Sequence, residues 1–156
     1  MNAAECLENV NSLIDELNGA KKEGSYDFER FSWIGKTRCF NIESIYDECG
    51  IFDWWRDTIS SSQLKQMQSF LKTAIKMGYT GYVCFKVGAA GCSHGMWAYK
   101  NESTKGCSPD GACLHHSFVP GKDYYDVRFE DGTWLGNEEK WKFTLKEIKD
   151  ALAERS

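Results

Sequence analysis

Between Ser60 and Val87 the apolar residues change from a helical to a strand-like spacing, and the change leaves few folds open. Leu64, Met67, Leu71, Ala74 and Ile75 form one stripe at helical intervals, Ser60 and Gln63 have the spacing of a capping box, and Gly78 stands where a helix ends. Lys65, Lys72 and Lys76 share the opposite face. "YTGYVCFKV" follows, an apolar run that reads as a buried strand. A helix that must bury one stripe, next to a strand buried in a core, requires helices layered on a sheet.

The other segments extend that arrangement. Leu7, Val10, Leu13, Ile14 and Leu17 recur at helical spacing before Gly19, with Glu5, Glu8, Asp15 and Glu16 mostly off the stripe, so a first helix carries an acidic outer face. "RFSWIGKTRCFNI" suits a strand or short hairpin around Gly35-Lys36, whereas "YDECGIFDWWRD" follows no single period. "MWAYK" reads as a neighbour of the 79–87 strand after a glycine-rich connection. "DYYDVRF" and "TWL" read as a hairpin across Asp131-Gly132, and Thr144 with Glu147 caps a last helix through Leu145, Ile148 and Leu152. The expected fold is α+β, a mostly antiparallel sheet with three or so helices packed on it. The 156 residues suit a single domain, 1–156, with a core large enough to need no covalent staples.

The first residues lack a cationic start and an apolar core segment, and no run approaches the roughly 18 apolar residues of a membrane span. The expectation is a cytoplasmic protein without membrane contact, and the odd count of seven cysteines fits reduced thiols. The net charge of −4 is unevenly spread: residues 1–60 carry 12 acidic and 6 basic side chains, residues 61–105 carry 1 and 6. An acidic flank repels phosphate and suits a basic partner, which argues against direct nucleic-acid binding. In "IFDWWRD", Asp53, Trp54 and Asp57 put an aromatic beside charge, as in interface hot spots.

"GCSHGMWAYKNESTKGCSPDGACLHH", residues 91–116, holds all three histidines and three of the seven cysteines. Zinc takes four thiolate or imidazole ligands at about 2.0 to 2.3 Å, and loops supply them at short spacings. Pro109-Asp110-Gly111 is a turn sequence between Cys107 and Cys113, Cys113 and His116 have the two-residue gap of a zinc knuckle, and Cys92 follows a strand. The expected ligands are Cys92, Cys107, Cys113 and His116, with His94 and His115 as rivals for the imidazole position. Four protein ligands leave no place for substrate water, so the Zn²⁺ would be structural and would stabilise the 88–121 loop region.

No HExxH, no HxE with PCxxC, no GxxxxGK[ST] and no GxGxxG is present, so catalytic zinc and the usual nucleotide cradles lack a motif. Two other readings stay open: a thiol-dependent hydrolase using Cys92 with a nearby histidine, and a zinc-containing nucleic-acid-binding module using the 61–105 lysines.

The chain's small size, acidity, aromatic content and "CSH…C…CLHH" cluster resemble the metal-binding members of the phage-encoded anti-CRISPR proteins directed against Cas9. The resemblance implies a non-catalytic, stoichiometric inhibitor in the host cytosol that binds Cas9, or another basic nucleic-acid-binding protein, and obstructs target DNA. On that implication Glu5, Glu8, Asp15 and Glu16 of the first helix, with Asp53, Trp54 and Asp57 of "IFDWWRD", would face the partner.

Overall fold

The computed structural model describes residues 1–23, 27–48, 51–54, 57–87, 94–101, 111–117 and 124–155. In chain order the elements are α1 (Ala3–Glu23), β1 (Phe31–Ile34), β2 (Thr37–Asn41), α2 (Ile42–Ile45) with a 3-10 turn (Tyr46–Glu48), β3 (Ile51–Trp54), β4 (Thr58–Ser60), α3 (Ser61–Lys76), β5 (Val83–Val87), β6 (His94–Tyr99), β7 (Cys113–Ser117), β8 (Tyr124–Arg128) and α4 (Leu145–Arg155). They form an α+β fold with two sheets. β1, β2 and β4 make a small antiparallel sheet, and the larger one runs β3-β5-β6-β7-β8. Among the described residues only the β3–β5 pairing is parallel.

Local chemistry starts α1, α3 and α4 where the sequence places them. Asn2 accepts from the Glu5 N–H at 2.9 Å while its own amide donates to the Glu5 carboxylate at 3.1 Å, a reciprocal cap on α1. Ser60 and Gln63 form the expected box on α3, and the Gly78 N–H donates to the Ile75 carbonyl with Gly78 at φ +93°. On α4, Thr144 and Glu147 exchange the same pair of bonds.

The stripes these caps position meet in one core. Val10, Leu13, Ile14 and Leu17 of α1 join Leu64, Met67, Phe70 and Leu71 of α3 over Phe85, Met96, Leu114 and Val127 of the large sheet. Burial stabilises by about 1.5 to 3 kcal/mol for each such side chain, which outweighs a polar link between the two helices such as Gln68 to Asn11 at 2.6 Å. The small sheet adds Phe31, Phe40 and Ile59 to the same cluster, and α4 adds Ile148.

Two segments depart from the expected pattern. Ile42–Ile45 and Tyr46–Glu48 turn through α2 and the 3-10 helix, and "IFDW" becomes β3, the parallel edge of the large sheet. Residues 113–117, expected within a metal-stabilised loop, form β7 near the centre of that sheet, because ladders to β6 and β8 satisfy their backbone on both sides.

The chain also closes on itself near Gly81. The Ala3 N–H donates to the Gly81 carbonyl at 2.9 Å, and the Gly81 N–H donates to Tyr99 at 2.7 Å. A Cβ on Gly81 would stand 2.5 Å from the Asn101 carbonyl carbon, whereas one on Gly19, in α1, would meet nothing within 4 Å. Gly81→Ala is therefore expected to destabilise by about 1 to 3 kcal/mol through backbone displacement, and Gly19→Ala to stabilise by up to about 1 kcal/mol through helix propensity. Urea unfolding of both variants checks the opposite signs.

Candidate functional site

β7 carries the described part of the Cys/His window, and its register fixes which side chains can meet. Cys113 pairs with Tyr99 and Arg128, His115 with Trp97 and Asp126, and His116 with Met96 and Tyr125. Successive strand residues point to opposite sheet faces, so Leu114 and His116 share one face while Cys113, His115 and Ser117 share the other. The first face is the helix side: Leu114 lies in the core, and the His116 ring stacks on Tyr125 at 4.2 Å and against Phe70 of α3 at 6.1 Å.

The structure thus does not bring Cys113 and His116 together. A two-residue gap makes a metal bite in a turn, but along a strand it reverses the face. At most one of the two can share a metal ion with Cys92 and Cys107, which lie outside the described residues, as does the side chain of His94. Among the described residues no group of three or more His, Cys, Asp or Glu side chains is arranged to hold a metal.

The outer face gathers residues that a linear reading scatters. The His115 ring lies on the Trp97 indole, 4.6 Å between centroids and 16° from parallel, with the Trp134 and Tyr124 edges at 6.3 and 6.5 Å. Trp141 meets Tyr124 edge-on at 5.2 Å. A Cβ at Gly95 would stand 2.6 Å from His115 Nε2, so the bare backbone there admits the ring. The 129–143 segment folds back over this face: the Leu135 N–H donates to Val127, and Asp126 Oδ1 accepts from the Gly136 N–H at 3.0 Å. Arg128 donates to the Gly111 carbonyl at 2.7 Å with its guanidinium over Tyr99 and Trp134.

This burial sets the proton chemistry. Desolvation, aided by the neighbouring His116, lowers His115 to about 4, so its imidazole is neutral at pH 7. Desolvation pushes the Cys113 thiol up to about 11, although Arg128 pulls in the other direction. A thiol so held is a poor nucleophile, and a metal would have to displace its proton. Desolvation also raises Asp126 despite two backbone N–H donors.

The acids expected to face a partner divide by role. Glu8, Asp15 and Asp57 are exposed, and Glu5 serves the α1 cap. Glu16 is engaged: Arg30 donates to it from Nε at 2.8 Å and Nη2 at 3.1 Å, and to Glu48 from Nη1 at 2.7 Å and Nη2 at 3.1 Å. Nη1 also donates to the Ser44 carbonyl, and the guanidinium lies over the Phe40 ring. These bonds push the Arg30 pKa higher still, and they tie α1 to the 3-10 turn. Asp53 and Trp54 lie in β3, with side chains outside the described residues.

The class these observations define is an α+β domain with an aromatic-covered outer sheet face and an acidic first helix. No family model, no curated protein and no solved structure matches the chain.

The buried imidazole has a measurable consequence. The unfolded chain binds a proton at His115 near pH 6.5 and the folded chain only near 4, so this contribution to stability is complete above 6.5 and is lost as pH falls between those values. His115→Phe, which keeps the stacking, is expected to remove about 2 kcal/mol of the stability difference between pH 7 and pH 4.5. Parallel urea titrations of wild type and variant at both pH values isolate this group from the others.

Proposed function

We propose that the chain is a non-catalytic, zinc-binding inhibitor protein that docks on a basic nucleic-acid-handling nuclease and hinders its engagement of target DNA. Cas9 is the partner suggested by the resemblance of the Cys/His window. The observation that carries the docking part is the Arg30 clamp. It draws α1, the turn before β1 and the 42–48 segment together, and it spends the guanidinium on Glu16 and Glu48. The elements it joins also carry the exposed Asp15, Asp27, Glu29, Glu43 and Asp47, so they present further negative charge to solvent. Such a field attracts a cationic groove and accelerates association, with a strong dependence on salt.

In this reading a structural Zn²⁺ is held by Cys92 and Cys107 with Cys113 or His116, one but not both, and supplies the ordering free energy of the loop. Elemental mass spectrometry is expected to find about one zinc per chain in wild type and near none in Cys107→Ser. Equal, near-zero metal in both proteins removes zinc from the proposal.

A nucleic-acid-binding module is the second reading, favoured by the exposed Lys65, Lys72 and Lys76 on one face of α3. The two are separated by the double variant Glu8→Lys, Asp15→Lys, which leaves the Arg30 clamp intact. Measured by calorimetry against Cas9 and against duplex DNA, the inhibitor reading expects at least about a tenfold weaker Cas9 complex and no DNA affinity. Salt-sensitive DNA binding by wild type, lost in Lys65→Glu, Lys72→Glu, would support the module instead.

A further inference from the structure

β1 is an edge strand with features that natural edges usually avoid. In the small sheet it pairs only with β2, in the register Phe31 with Phe40, Trp33 with Arg38 and Ile34 with Thr37. The Asn41 N–H donates to the Arg30 carbonyl, so residues 30, 32 and 34 turn their backbone groups toward β2. The N–H and C=O of Trp33 therefore face outward, where no hydrogen bond reaches them among the described residues. Protected edges carry charge, proline or a covering segment. This one exposes Trp33 at 50% on one face and Ile34 at 57% on the other, with Phe28 at 78% just before it.

The exposed indole is also held in place. Arg38, only 5% exposed, lies with its guanidinium 5.4 Å from the Trp33 ring and 4.8 Å from Phe31, so Trp33 rests on a fixed cation above the core. A pre-positioned tryptophan loses little freedom on binding.

We propose that β1 is a dimerisation edge, on which a second copy of this chain adds antiparallel to form one continuous six-stranded sheet. A two-fold axis through Trp33 lets the two Trp33 residues exchange both outward hydrogen bonds and sets indole against indole. Charge selects the second copy as the occupant. Exposed Asp27 and Glu29 lie before β1 and exposed Lys36 lies at its far end, in the hairpin tip. A two-fold axis through Trp33 sets Lys36 of each copy opposite position 30 of the other, where Arg30 is already engaged by Glu16 and Glu48 and the exposed Glu29 and Asp27 stand next along the chain, so each cation meets an acidic strand end, twice, as an isologous contact requires. The inference goes beyond the inhibitor reading and needs no nuclease for its test.

Sedimentation equilibrium of the wild-type chain at about 100 μM is expected to give twice the 17.8 kDa of one chain. Trp33→Lys and Lys36→Glu are each expected to weaken self-association at least tenfold, with unchanged far-UV circular dichroism because both positions are exposed. The double variant Glu29→Lys, Lys36→Glu reverses both charges and is expected to restore the dimer. A monomeric wild type overturns the proposal, and so does a dimer indifferent to Trp33→Lys or one that the charge exchange does not restore.

Discussion

The fold rests on two helices that bury their stripes against one face of a sheet. α1 and α3 lie side by side, with α3 against β6, and their buried residues join those of β5, β6, β7 and β8 in one core. Hydrogen bonds and ion pairs contribute alignment: caps set where helices begin, and the Gln68–Asn11 contact sets how they lie together. Because this packing claims one face of the large sheet, the other face must be covered differently. The 129–143 segment covers it with aromatic rings and little regular structure, and there desolvation lowers His115 and raises Cys113.

Much of the framework was legible in the sequence, wherever the signal was local. The Ser60–Gln63 box, Gly78 after α3, the Gly35-Lys36 hairpin and the Thr144–Glu147 cap each depend on residues within four positions of one another, and each is formed. β7 was not legible, because cysteine, histidine and a preceding Pro-Asp-Gly turn read as a loop, and what makes it a strand is two ladders to distant segments. The Cys113–His116 spacing shows how the two kinds of signal interact. The same interval means convergence in a turn and opposition in a strand, so only tertiary context decides its meaning. Glu16 is comparable: helical period places it outside, but only the fold supplies Arg30.

Arginine is used in three ways. Arg30 saturates its donors with two carboxylates and a carbonyl, Arg128 bridges the outer face to the Gly111 carbonyl, and Arg38 is held between rings. In Arg38, Nε and Nη1 have no acceptor among the described residues, so aromatic faces offset part of the desolvation cost of its charge. A lysine could stand in none of these places without loss, since each exploits the flat, branched guanidinium.

The closure of α1 on Gly81 and on α3 orders events during synthesis. As α1 emerges from the ribosome its apolar stripe has no partner, because α3 starts at Ser61 and the carbonyl that receives the Ala3 N–H belongs to residue 81. Tyr99, which fixes Gly81 from the other side, comes later still. At about 5 to 20 residues per second the nascent helix waits several seconds with its stripe unsatisfied, a window in which a chaperone that recognises amphipathic helices would find its substrate.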